Sequence, residues 1–440
     1  MRRRTVLIVG LNYAPEPTGI ARYTTGLARM LAEAGHSVHV VTGFPHYPEW
    51  RIADGYRGAR IEETDGPATN PIRVTRVVHP VPARPTGLGR VLMEAVFAAR
   101  AATVRTTKPD VVVVVSPALL SVAAARWRWH RSGRTALGVV TQDLYTAALA
   151  ETGALRGRGA GAARRLERTL LQGADGVAAI HDTFRASLER LGVDPARITV
   201  VRNWTHTAPA SGDTAALRTR LGWPDGDVIA LHAGNMGAKQ GLENVVDAAR
   251  LADERRLPIT FVLMGDGNQR AALEARAEGV QRLRFQPSLP DGEFETALAA
   301  ADVLVLNERP GIAEMCVPSK LTSYFAAGRP VIAATADDGA AATEVRAADA
   351  GIVLPPARPE LLVEAACALG ADRTGADRLG SNACHYAARV YAERTARAHY
   401  LAWVDSLASR VSITVPAPRR SPDTATAPAA PPAPVIERQP

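Results

Sequence analysis

The chain has 440 residues, 47% hydrophobic and 22% charged, which excludes a wholly disordered or collagen-like protein and suits two domains plus an appendage. No apolar run reaches the ~18 residues of a membrane-spanning helix, and three cysteines (Cys316, Cys367, Cys384) are too few and scattered for a disulfide framework or a zinc site. The net charge of +8 is uneven: residues 1–210 hold 28 Lys/Arg against 16 Asp/Glu and the remainder 24 against 28, so a half at +12 joins one at −4.

Behind Arg2-Arg3-Arg4, the apolar stretch Thr5–Gly10 is too short for a secretory signal. It reads as a first buried strand, which implies a cytoplasmic chain. Five more β-branched runs follow: Ser37–Thr42, Val111–Ser116, Ala136–Thr141, Gly176–Ile180 and Ile198–Arg202. Their near-continuous apolar character predicts strands covered on both faces. Between the first two, Ile20, Tyr23, Leu27, Met30, Leu31 and Ala34 recur at helical spacing and Gly35 stops the helix. This βαβ unit demands a parallel pair. After a small, polar linker at Ala208–Thr214 the pattern restarts with Asp227–Gly234, Ile259–Gly265, Arg282–Gln286, Val303–Asn307, Val331–Ala334 and Gly351–Leu354. The expected fold is α/β, with two tandem Rossmann-like, doubly wound parallel-sheet domains and a cleft between them. From Val411 the character changes: eight of the last 25 residues are proline, and segment 411–440 is expected to be disordered.

Open α/β sheets bind ligands beyond the carboxyl ends of their strands, so the loops there carry the candidate chemistry. Leu11–Ile20 (LNYAPEPTGI) places Gly19 at a helix start, where backbone N–H groups can meet an anion, although Pro and Gly also suit a plain helix entry. Gly43–Trp50 (GFPHYPEW) offers rings and a histidine to a sugar or phosphate, or forms a stiff lid. Asp143, at the end of a strand, can orient a hydroxyl or accept its proton, or can cap a helix. The capping reading is stronger for His181-Asp182. In the second half, His232–Gly241 (HAGNMGAKQG) follows a strand, carries Lys239 and opens a helix, which suits a pyrophosphate without being a P-loop. Gly265 and Gly267 make a second glycine turn. A helix beginning near Pro318-Ser319-Lys320 points its N-terminus at the cleft and ends at Gly328.

Taken in order, NYAPEPTGIARYT, TGFPHYPEW, TQDLY, RNW (202–204), HAGNMGAKQGLENVVDAA, MGDG and VPSKLTSYFAAGRPVIA resemble the family 4 retaining glycosyltransferases of GT-B architecture, in their exopolysaccharide (colanic-acid-type) branch. The resemblance spans roughly residues 5–405. It implies a metal-independent glycosyltransferase that uses a nucleotide-diphosphate sugar as donor substrate and no cofactor. It also implies an N-terminal acceptor domain (1–210), a C-terminal nucleotide-sugar domain (211–393) and a helix (394–410) crossing back to the first domain. The implied binding residues are Gly19, Asn235, Lys239, Gly265, Gly267, Pro318, Ser319, Lys320, Leu321 and Ser323. Asp143, Lys239 and Glu314 are the implied catalytic residues. The chain departs from the common pattern in places. Asn235 and Gln240 stand where many members carry Arg and Lys, leaving Lys239 as the phosphate ligand. Met315 and Ser323 fall where two glutamates are usual, with Glu314 one residue before the first.

The implied acceptor is a saccharide or polyprenyl-linked saccharide of surface polysaccharide biosynthesis. A natural-product glycosyltransferase acting on a soluble aglycone, a nucleotide-sugar epimerase and a non-catalytic nucleotide-sugar-binding homologue remain as alternatives. The epimerase would have only Asp143 and His181 as acid/base groups. An anionic membrane surface is the second expected partner. Residues 84–108 interleave Arg84, Arg90, Arg100, Arg105 and Lys108 with apolar side chains, and Arg126–Arg134 alternates arginines with Trp127 and Trp129. Tryptophans at helical spacing equally fit a core. No nucleic-acid motif accompanies the charge, so nucleic acid is not an expected partner. The expected location is cytoplasmic and peripheral, at the inner face of the plasma membrane.

Overall fold

The computed structural model describes residues 2–17, 19–83, 87–144, 158–311 and 319–414. Arg84, Glu314, Pro318 and the tail from residue 415 lie outside them. The first sheet holds β1 (Thr5–Val9), β2 (Ser37–Gly43), β3 (Arg60–Asp65), β4 (Ile72–Val77), β5 (Val111–Ser116), β6 (Ala136–Thr141), β7 (Gly176–Ala179) and β8 (Ile198–Val200). Their order is β3-β4-β2-β1-β5-β6-β7-β8, parallel except for the β3–β4 pair. The valine-rich β5 and β6 are buried along their whole length, as strands covered on both faces must be.

Strands β3 and β4 do not appear among the apolar runs of the sequence. The residues RIEETD of β3 alternate between exposed and half-buried, and β3 is an antiparallel edge. Charge pairs Arg73–Glu62 (3.0 Å) and Arg76–Glu63 (2.7 Å) join it to β4. Charged side chains on an edge strand discourage pairing with another chain, and they also erase the apolar signal.

The second sheet is wholly parallel. It contains β9 (Val228–Ala233), β10 (Ile259–Met264), β11 (Leu283–Gln286), β12 (Val303–Asn307), β13 (Val331–Ala334) and β14 (Gly351–Leu354) in the order β11-β10-β9-β12-β13-β14. Strand order reverses between β1 and β5 in one sheet and between β9 and β12 in the other. Each reversal opens a crevice at the carboxyl ends of the strands.

The last helix, Glu393–Thr414, runs four residues past Arg410 and belongs to the core of the first domain. Tyr400, Trp403, Val404 and Leu407 are buried there among residues of β1, β5 and β6. Two glycines make room. A Cβ on Gly138 would stand 2.6 Å from Leu407 Cδ1, and one on Gly176 would stand 2.9 Å from Leu407 Cδ2. Among the described residues no helix is long and apolar enough to cross a membrane.

A buried carboxylate ties the domains together. Glu344, on the helix Ala340–Ala348 and 1% exposed, accepts from His181 Nε2 (2.7 Å), Arg202 Nη1 (2.5 Å), the Tyr386 hydroxyl (2.9 Å) and the Tyr391 hydroxyl. Burial alone would raise its pKa, but the His181 hydrogen bond and the Arg202 charge outweigh it and hold the carboxyl below its ordinary range.

Candidate active site

Beyond β9 the chain turns at Gly234 and runs as a loop to Gly241 before the helix Glu243–Glu254. Backbone hydrogen bonds lace this loop to the turn after β10. The Gly234 amide donates to the Met264 carbonyl and the Met236 amide to the Asp266 carbonyl, both at 2.8 Å. The approach leaves no space for side chains: a Cβ on Gly265 would lie 2.1 Å from the Gly234 carbonyl oxygen, and one on Gly267 2.4 Å from that of Met236. Both residues also hold positive φ, which glycine adopts without strain. Beneath the loop, buried Asn307 donates to the carbonyls of Gln240 (2.7 Å) and Gly241 (2.9 Å) and accepts from Asn244 Nδ2 (2.7 Å). Tyr324 receives the Ala233 amide at 2.8 Å, which anchors the helix Ser319–Ala326 beneath the end of β9. Lys320 on that helix lies against Gly234, its Cε 2.7 Å from where a Cβ would be. Burial and the Lys320 charge keep His232 neutral.

These loops form one wall of an interdomain cavity of about 1020 Å³, with Asn235, Lys239, Gln240, Asp266, Gly267 and Arg309 on it. The Arg309 amide donates to the Lys239 carbonyl at 2.9 Å, joining the end of β12 to the glycine loop. Tyr47, Pro48 and Trp50 of the first domain form the opposite wall. An ammonium and a guanidinium beside a helix start can hold an anion.

A second cavity, about 290 Å³, lies in the first domain at the β1/β5 reversal. Gly19 and Asp143 line it with Asn12, Arg90 and Glu94, and Tyr47 and Trp50 line both cavities. The aromatic loop is therefore their common wall. Glu16, 5% exposed, holds that loop by accepting the amides of His46 (2.9 Å) and Tyr47 (3.1 Å) and Nδ2 of Asn12 (2.8 Å). Burial nevertheless raises the Glu16 pKa. His46 and His79 meet edge to face at 4.8 Å, and burial lowers both, His79 to about 4, so the pair is neutral at ordinary pH. Trp50 holds φ at 52°, a strained setting for an indole-bearing residue at a ligand wall.

Of the residues expected from sequence, Asn235, Lys239 and Gly267 line the interdomain cavity, Gly265 shapes it and Lys320 packs against its loop. Ser319 is exposed at the start of its helix. Leu321 is 1% exposed in the core, so only its backbone remains for a ligand. Ser323 accepts from Thr207, just before the linker, at 2.8 Å and is not among the described residues of the cavity wall. Asp143 stands in the other cavity, its carbonyl accepting from Ser116 Oγ at 3.0 Å. His181 caps the helix Asp182–Arg190 through Nδ1, which accepts from the Thr183 amide, and its Nε2 donates to Glu344. Its place is the domain joint, which removes it as an acid/base group of an epimerase.

Arg309, Asn307, Glu16 and Glu94 escaped the sequence reading. Arg309 was marked only by its charge just after a strand, and Glu94 by being a lone acid between Met93 and Phe97 on an apolar helix face. The Trp/Arg segment divides. Trp127 is 63% exposed, while Trp129 is 6% exposed and donates Nε1 to Thr106 Oγ1 at 3.1 Å, so only Trp127 faces outward. Leu88 and Leu92, on the helix Gly87–Ala102, are 86% and 58% exposed.

Residues 18–204 match the family described as glycosyl transferase 4-like domain, and residues 227–372 match glycosyl transferases group 1. The putative colanic acid biosynthesis glycosyl transferase WcaI of Escherichia coli (strain K12) is 35% identical over 340 residues, covering 73% of this chain and 81% of that protein. Sucrose-phosphate synthase of Thermosynechococcus elongatus superposes with a TM-score of 0.68 at 18% identity, over 92% of this chain and 100% of that one. HepE of Anabaena in complex with UDP-glucose gives 0.65 at 17% identity, over 91% and 99%. The chain belongs to the glycosyltransferases of GT-B fold in which a glycosyl transferase 4-like domain precedes a group 1 domain.

Proposed function

We propose that this glycosyltransferase is retaining, takes a nucleotide-diphosphate sugar in the interdomain cavity and extends a lipid-linked saccharide of a surface polysaccharide at an anionic membrane. The observation that carries the reading is the wall of Tyr47 and Trp50 common to both cavities, because it sets a phosphate-binding loop and a ring-sized pocket on either side of one aromatic surface. The colanic acid relative supports the polysaccharide assignment, and the UDP-glucose-bound HepE supports the donor class. Exposed Leu88, Leu92 and Trp127 among arginines support contact with lipid headgroups.

In the reaction, the bond from the anomeric carbon to the diphosphate oxygen breaks, and the acceptor oxygen bonds to that carbon on the same face. The acceptor proton passes to the departing phosphate. Charge grows on that phosphate in the transition state, where Lys239, Arg309, Lys320 and the amides of the glycine loop stabilise it without a metal ion. Purified protein, offered a panel of nucleotide-diphosphate sugars with polyprenyl-phosphate-linked sugars, tests the reading. The expected product keeps the donor's anomeric configuration and forms equally well in EDTA. An inverted product rejects retention, and transfer to none of the lipid-linked acceptors rejects the acceptor class.

A further inference from the structure

We infer that Glu94 reads the acceptor: on the floor of the first domain's cavity it takes a neutral pyranose ring by accepting one ring hydroxyl on Oε2. This rests on the reading of that cavity as the acceptor side. The Glu94 side chain is 1% exposed yet lines the cavity. Arg90 Nε lies 3.5 Å from Oε1, while no donor among the described residues reaches Oε2. A buried carboxylate oxygen without a donor is costly, and a hydroxyl entering the cavity removes that cost. Burial pushes the Glu94 pKa up to about 7, with Arg90 offsetting only part of the effect.

Size and position narrow the ligand. A cavity of about 290 Å³ stands at the lower limit of the ~300–1,000 Å³ of small-molecule sites, which fits one sugar ring rather than an oligosaccharide. Tyr47 and Trp50 bring aromatic rings to its lining, and Asn12 an amide. Leu88 and Leu92, four residues apart on the same helix, are exposed, while Arg90 and Glu94, also four apart, line the cavity. One helix thus separates the ring site from an outward apolar face, where a lipid carrier would lie.

The other charged or titratable groups on this cavity are Arg90, His46, Tyr47 and Asp143, with Glu16 and His79 behind His46. Burial lowers both histidines, His79 to about 4, and raises Tyr47, which moves all three away from the Glu94 value. A donated hydroxyl favours the ionised carboxylate. Affinity for the ring therefore rises as the pH passes upward through about 7.

The test is calorimetry of the full chain, saturated with UDP, against the methyl glycosides of glucose, galactose and glucosamine at pH 6 and pH 8. The neutral glycosides are expected to bind more tightly at pH 8. Glu94→Gln should weaken them about tenfold and flatten the pH dependence, whereas Glu94→Asp should keep the slope. UDP affinity and melting temperature check that each variant is folded; if Glu94→Gln does not fold, a flat profile in Glu94→Asp overturns the inference. Unchanged affinity and slope in folded Glu94→Gln also overturn it. A preference for the cationic glucosamine glycoside overturns the neutral-ring assignment. Trp50→Ala separates the two levels. If it weakens the glycosides while Glu94→Gln does not, the acceptor cavity stands without Glu94; if neither matters, the acceptor reading falls as well.

Discussion

On the second domain's wall of the interdomain cavity, Gly234, Gly265 and Gly267 let two backbone segments touch, and the cations Lys239, Lys320 and Arg309 stand on or beside that surface. At the first domain's cavity, by contrast, Glu16, His46, His79 and Glu94 are buried side chains drawn from different loops and a helix, all with displaced pKa values. A phosphate is met by amides and positive charge that any correctly shaped backbone can present. A sugar ring is told apart by individual hydroxyls and needs groups fixed one at a time, so its site depends on costly buried polar residues.

The contrast fails most visibly under acid if it is wrong. His39 and His79, both in the first domain, are held to about 4 by burial. Their unfolded forms bind protons from about pH 6.5 downward, so the stability they contribute is full above that value and is lost as the pH falls toward 4. The loss approaches ~3 kcal/mol for each. The first domain holds His36, His39, His46 and His79 with lowered pKa values, against His232 on β9 in the second among the described residues, so hydrogen exchange, corrected for intrinsic rates, should show β2 and β4 losing protection between pH 7 and pH 4.5 before β9 and β12 do. Simultaneous loss would erase the distinction between the halves.

Separating the halves is the next test. Glu344→Ala removes the acceptor of His181 and Arg202, and loss of one partner of a buried ion pair costs about 3–5 kcal/mol. Urea unfolding should split into two transitions, and a single transition with the wild-type midpoint would show that Glu344 does not couple the domains. Lys239→Ala should lower turnover by about 10²–10³ with little change in melting temperature. Activity within a few-fold of wild type would place Lys239 outside the site. Replacing Arg126, Arg128 and Arg131 with glutamate should reduce partition onto anionic vesicles on the order of 100-fold, at ~1 kcal/mol for each cation. Equal sedimentation with neutral vesicles, or none with either, would refute membrane docking. The smallest effect is expected for Ser323→Ala, about 0.5–1.5 kcal/mol for one neutral hydrogen bond to Thr207. Abolition of UDP binding would instead make Ser323 part of the donor site.

The glycine-loop wall was legible because its signals are local. A strand ending in glycine, a lysine and a helix start all fall within His232–Gly241, and the backbone geometry they require follows from residue type. Asn307 was not legible, because its role depends on β12 lying beside β9 and under a loop more than sixty residues earlier in the chain. Thr207 was hidden for the converse reason. No motif marks it, and its hydrogen bond to Ser323, more than a hundred residues later, exists only in the folded chain. Glu94 looked like part of a basic amphipathic stretch until the sheet covered one face of its helix.

The apolar runs and helical spacings of this chain determined two parallel α/β units, their order and the loops at their carboxyl ends, because burial on both faces leaves a continuous signature in each strand. The polar edge β3–β4, the return of the last helix onto Gly138 and Gly176, the joint at Glu344 and the aromatic wall common to the two cavities were decided only in three dimensions. Each of these depends on which distant residues meet. A side chain's burial and hydrogen-bond partners, and hence its charge state, are properties of the packed neighbourhood and not of the residue that carries it.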